Sequence, residues 1–157
     1  MIVGIIGGSQ IEKKEIYDMA YATGALVARN QWVLICGGLG GVMEAAAKGA
    51  FDQKGVTIGI LPQNNKSYAN PYITIPVATG IGLARNFIIV HTADILIAID
   101  GQYGTLNEIA AAMTMKKYVL SLRSWDLEKL DKFDKTFFIP VQSPEEAVHF
   151  IKNSSIH

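Results

Sequence analysis

The sequence predicts an α/β protein built on one doubly wound parallel sheet. Three observations carry this expectation. Strand-like and helix-like segments alternate along all 157 residues. The strand-like runs, such as Ile95-Leu96-Ile97-Ala98-Ile99, are continuously apolar, as in strands covered on both faces. Two of these runs end in glycine-bearing turns that open apolar-periodic helices, the layout of a ligand crevice at the carboxyl edge of a parallel sheet.

Taken in order, Ile2–Ile6 is the first expected strand, and it ends in Gly7-Gly8-Ser9. A helix is expected from Ile11 to about Arg29, with Ile16, Ala20, Thr23 and Val27 inward and Glu12, Lys13 and Asp18 outward. Trp32–Cys36 is the second strand. Gly37-Gly38-Leu39-Gly40-Gly41 follows, then an alanine-rich helix from Val42 to about Gln53. Four glycines in five residues cost conformational order, so they fit a turn crossing close to a backbone or a phosphate. Val56–Leu61 is the third strand. Residues 62–72 carry Asn64-Asn65 and Asn70-Pro71 and read as a long polar loop, suited to a lid or binding loop. Ile73–Val77 is the fourth strand.

Leu83–Thr92 is expected to be a helix and Asp94–Ile99 a strand. That helix is apolar nearly all round, through Leu83, Phe87, Ile88, Ile89 and Val90, so it should be buried on more than one side. In a chain of this size the second side implies a partner subunit. Arg85 in its first turn stands at the wrong end of the helix dipole for a cation. A nearby anion would explain it, and Gly80 and Gly82 leave room for one. Asp100-Gly101-Gln102-Tyr103-Gly104-Thr105-Leu106-Asn107-Glu108 then opens a helix running to about Lys116. Thr105 reads as its N-cap, and Glu108, three residues on, as a capping-box acid or as a residue at the mouth of a ligand site. Free N–H groups and the dipole at such a helix start favour an anion. Tyr118–Leu122 is the sixth strand, Trp125–Phe133 a short charged helix, and Phe137–Ile139 a last short strand. Ser143-Pro144-Glu145-Glu146 starts the terminal helix with an N-cap, a first-turn proline and early acids.

Bulk properties narrow the function. With no internal repeat or linker, residues 1–157 are expected to form a single domain. Fourteen basic residues balance fourteen acidic ones, which argues against general nucleic-acid or anionic-membrane binding. Cys36 stands alone, and His91, His149 and His157 lack ligand spacing, so no metal site is expected. No basic segment precedes the first strand and no apolar run spans a bilayer, so the expected location is the cytoplasm. Neither glycine loop is G-x-G-x-x-G, and no G-K-[ST] or G-x-S-x-G occurs, which argues against a dinucleotide oxidoreductase, a P-loop enzyme and an α/β-hydrolase.

Gly37 to Glu44, Gly80 to Asn86 and Gly101 to Glu108, in that order, resemble motifs of the Rossmann-like superfamily once labelled "possible lysine decarboxylases". Its members include the LONELY GUY nucleoside-5′-monophosphate phosphoribohydrolases and the molybdenum-cofactor carrier proteins, and the short chain is closest to the carrier branch. No Schiff-base lysine supports the decarboxylase label. The hydrolase signature is P-G-G-x-G-T-x-x-E with an arginine on the preceding helix. By that resemblance Arg85 would contact a nucleotide and Glu108 would stabilise positive charge on the ribose. The resemblance together with the loop pattern implies a phosphate-binding set of Gly8, Ser9, Gly38, Gly40, Gly41, Gly82, Gly101, Gly104 and Thr105. The chain departs from the hydrolases at Asp100, where they carry proline, and at Gln102, where they carry glycine. The expectation is therefore a carrier of a phosphorylated heterocycle such as molybdopterin, forming a homodimer or homotetramer and using no catalytic cofactor. The alternatives are a phosphoribohydrolase that cleaves a nucleoside monophosphate and a nucleotide sensor without chemistry.

Overall fold

The computed structural model describes residues 1–127 and 135–154. Among the described residues, seven parallel strands form one sheet: β1 (Ile2–Gly7), β2 (Val33–Cys36), β3 (Thr57–Leu61), β4 (Ile75–Ala78), β5 (Ile95–Ile99), β6 (Val119–Leu122) and β7 (Phe138–Val141). Their spatial order is β4-β3-β2-β1-β5-β6-β7. The chain winds outward from β1 to β4, then returns to place β5 on the other side of β1, in register from Val3 opposite Ile95 to Gly7 opposite Ile99. This is the doubly wound, Rossmann-like α/β fold expected.

Five helices cover the sheet among the described residues: α1 (Lys14–Arg29), α2 (Val42–Asp52), α3 (Asn86–Thr92), α4 (Tyr103–Thr114) and α5 (Pro144–Asn153). The period-two geometry of a strand sorts the core into two layers. Val3 and Ile5 of β1, with Ile95, Ile97 and Ile99 of β5, face α1, α2 and α5. Ile6, Leu96 and Ala98 face α3 and α4. Every residue of β5 is fully buried. Burial of both faces is why its sequence is continuously apolar rather than alternating.

Two expectations need correction. Thr105 is not an N-cap, because α4 begins two residues earlier, with Gln102 at the cap and no side-chain cap bond. Gly101, at φ 99°, makes the sharp turn that lets the helix start there. Glu108 consequently lies in the second turn of α4, beyond the reach of a capping box. The helix expected over Leu83–Thr92 is split, with a 3₁₀ turn at Gly82–Arg85 followed by α3. Within this chain it is not covered all round: Leu83, Phe87 and Ile88 are exposed while Ile89 and Val90 are fully buried. The short helix expected over Trp125–Phe133 falls largely on residues outside the described set, and 125–127 are not helical. The terminal helix follows expectation in detail, since Ser143 Oγ accepts from the Glu146 N–H at 3.1 Å.

Candidate functional site

Reversal of the strand order between β1 and β5 leaves the loops after them diverging at the carboxyl edge, the place where open α/β sheets bind ligands. The two glycine loops, after β2 and after β5, lie at this same edge. A cavity of about 630 Å³ opens there. Its walls are the end of β1 with Gly7–Gln10, the start of α1, the Asp100–Gln102 turn and the first turns of α4.

Of the residues singled out from the sequence, Gly8, Ser9, Arg85, Gly101, Gly104, Thr105 and Glu108 line this cavity together. The first N–H groups of α4, on Tyr103, Gly104 and Thr105, precede the first intrahelical bond, from Leu106 N to Gln102 O at 3.0 Å. A Cβ on Gly104 would meet nothing within 4 Å, so the helix start borders open space. The remaining glycines shape the wall from outside the lining. Gly41, at φ 65°, sits where a Cβ would strike the Gly8 carbonyl, and the Val42 N–H donates to that carbonyl at 2.9 Å. The glycine loop after β2 thus crosses the turn after β1, and the leading N–H of α2 is used by that crossing. Gly38 packs on Gly59 and Leu61, Gly40 lies against the Ser9 carbonyl, and Gly82 is turned to open space.

The cavity floor holds the unusual chemistry. Arg85 and Glu108 come from different elements, and Nη1 approaches Oε1 to 3.7 Å with side chains only 8% and 7% exposed. No hydrogen bond joins them: among the described residues, Arg85 Nε and Nη1 and Asn86 Oδ1 are buried polar atoms without a hydrogen-bond partner. Such atoms are costly to bury unpaired, and a ligand would relieve that cost. Burial pushes the Glu108 carboxyl up to about 7, against the opposing pull of Arg85. Burial likewise lowers the Arg85 guanidinium, which stays charged. Gly37 makes the arrangement possible, because a Cβ there would collide with both terminal nitrogens of Arg85. The neighbouring Cys36 thiol is buried and raised to about 11, so it packs as a small hydrophobe.

Sequence reasoning missed Asn86, Gly37, Glu15 and Arg123 as lining residues. The first two had a legible signal: a polar residue in an apolar helix beside Arg85, and the leading glycine of the loop. Glu15 and Arg123 pair across the rim at 3.1 Å and are both exposed. They come from the first turn of α1 and the residue after β6, and only the tertiary fold brings them together. Asp100 and Gln102, where the chain departs from the hydrolase signature, both line the cavity. Asp100 holds a left-handed φ of 50°, and its carbonyl accepts from Ser124 Oγ at 2.5 Å.

Comparison with known proteins places this architecture. The molybdenum cofactor binding protein of Rippkaea orientalis superposes with a TM-score of 0.90 at 37% identity, covering 96% of this chain and 94% of that one. The molybdenum cofactor carrier protein of Chlamydomonas reinhardtii gives a TM-score of 0.87 at 30% identity, with 96% of each chain covered. A protein of Archaeoglobus fulgidus is 43% identical over 157 residues, 99% of this chain and 97% of its own. These similarities bear out the carrier-branch resemblance read from the glycine motifs. Residues 1–149 match the SLOG cluster4 family, and the chain belongs to that family.

Proposed function

We propose that this protein binds and carries a phosphorylated heterocycle, the molybdenum cofactor first among candidates, in the cavity at the β1/β5 switch point. The observation that carries the reading is the pairing, in one cavity, of an open helix start at Gly104-Thr105 with the buried Arg85, whose Nε and Nη1 lack hydrogen-bond partners. A volume of about 630 Å³ lies within the usual range of cofactor pockets. The phosphate sits on the backbone of Gly8, Ser9, Gly101, Gly104 and Thr105, while Gly38, Gly40, Gly41 and Gly82 set the loop shapes. The heterocycle extends toward Arg85 and Glu108. Similarity to the Rippkaea and Chlamydomonas proteins supports molybdopterin as the cargo. Carriage rather than hydrolysis fits the loop, because Gln102 adds a side chain and Asp100 a negative charge where the phosphoribohydrolases present glycine and proline. The protein acts in the cytoplasm as a homodimer or homotetramer, and uses no catalytic cofactor.

The test is loading with molybdenum cofactor, followed by mass spectrometry and metal analysis of the protein peak. Wild type should retain cofactor through gel filtration. Gly104→Val, which fills space open to the cavity, should lose it while the melting temperature stays close to wild type. Equal loss of binding and stability would make Gly104 structural. Release of free base from AMP by wild type, abolished in Glu108→Gln, would overturn carriage in favour of hydrolysis, because losing such charge stabilisation costs on the order of 10²–10³ in rate.

A further inference from the structure

The cavity floor is a donor and acceptor set as well as an ion pair. Arg85 contributes N–H donors at Nε and Nη1, and both are unpartnered. Asn86 contributes a free acceptor, Oδ1, while its amide nitrogen reaches Asn107 Oδ1 at 3.4 Å. Glu108 contributes two further acceptor oxygens, neither of which takes a hydrogen bond from Arg85. All three residues are more than nine-tenths buried, and all three line the cavity. By contrast, Asn70 and Thr57, buried elsewhere, are hydrogen-bonded within the chain: Asn70 to Leu39 and Tyr72, Thr57 to Tyr72 and Thr74. Of the four buried side-chain atoms without a partner among the described residues, three belong to Arg85 and Asn86 at this cavity, and the fourth is Gln63 Oε1, outside its lining.

We propose that Arg85, Asn86 and Glu108 read the polar edge of a 2-amino-4-oxo pyrimidine ring, the edge shared by guanine and pterins, and discriminate against adenine. The inference rests on the reading that this cavity holds a phosphorylated heterocycle. That edge presents a carbonyl, a ring N–H and an amino group in a row. The carbonyl takes a hydrogen bond from Arg85, as guanine carbonyls do from arginine elsewhere. The ring N–H and amino group donate to the Glu108 carboxylate and the Asn86 carbonyl. Adenine brings no carbonyl and no ring N–H on its pairing edge. It would leave an Arg85 donor and at least one of these acceptors buried and unpaired, and sites built to hydrogen-bond a group reject analogues that lack it. Glu108 accepts most strongly when ionised, its dominant form at pH 8 given a carboxyl at about 7.

The experiment is calorimetric titration at pH 8 with GMP, AMP and phosphorylated 6-hydroxymethylpterin, on wild type, Glu108→Gln and Asn86→Ala. Wild type should bind GMP roughly 10- to 100-fold more tightly than AMP, the discrimination of a good bidentate contact. Each variant should bring the two affinities together by weakening GMP more than AMP. Asn86→Ala stands as the second probe if Glu108→Gln melts below the working temperature. The ranking of pterin phosphate against GMP identifies which source of the shared edge is preferred, and either ranking supports the edge. Equal binding of GMP and AMP by wild type would overturn the edge while leaving the phosphate cavity standing. A preference that survives both substitutions would overturn the assignment to these residues. Failure of all three ligands to bind would defeat the cavity reading and the edge with it.

Discussion

Glu108 shows how one side chain links the fold to its charge state. A carboxyl whose folded-state pKa is raised stabilises the protein fully below its unfolded value, 4.5, and that stability is lost as pH rises through about 7. The raised value comes from burial, so the cost belongs to the ionised form. At pH 8 it amounts to roughly 3 kcal/mol relative to a site that stays neutral. Glutamine has the shape of the protonated acid and does not titrate. Thermal melts of wild type and Glu108→Gln at pH 5 and pH 8 should diverge, with wild type losing more stability on going to pH 8. Parallel pH dependence in the two proteins would show that Glu108 is not the buried acid described. At this scale Arg85 and Glu108 were legible as special, one as a cation in an apolar helix, the other by its place in a glycine motif. Their 3.7 Å approach was not, because 22 residues and a complete strand separate them in sequence.

At the scale of elements, hydrophobic period and turn residues located nearly every strand and helix, because each buries a face whose period the chain must match. Boundaries moved where a loop conformation outweighed a local pattern, as at Gly101 before α4. One contact had no sequence pattern pointing to it. α1 and α2 cross so closely that a Cβ on Gly24 would strike the Ala46 carbonyl, and one on Gly49 the Tyr21 carbonyl. Helix propensity alone says Gly24→Ala should stabilise by up to about 1 kcal/mol. The obstructing atoms are backbone and cannot swing away, so overpacking decides the sign, with an expected loss of about 1–3 kcal/mol. Urea denaturation of Gly24→Ala measures it, and a gain in midpoint would show that the helices separate at little cost.

For the whole molecule, the surface around α3 is the feature left unfinished. Leu83, Phe87 and Ile88 are 75%, 46% and 37% exposed in a segment that is mostly apolar. A homo-oligomer that buries this surface is the expected state, and light scattering at micromolar concentration should report at least a dimer. Phe87→Glu should shift the protein to monomer, since a carboxylate does not enter such an interface unpaired. A wild-type monomer would remove the oligomer from the proposal.

By itself, the sequence determined the α/β class, the alternation of elements, the position of both glycine loops and the family resemblance. All of these depend on local period, turn chemistry or motif order, which are written along the chain. Tertiary structure alone decided which glycines face the cavity. Gly104 opens onto it, whereas Gly41 is consumed by a crossing with Gly8, and nothing in a glycine's neighbours in sequence distinguishes the two roles. It also decided that Arg85, Asn86 and Glu108 meet at one buried floor. That meeting depends on β5 returning to lie beside β1, a long-range pairing set by how the two-faced sheet is covered rather than by any local signal.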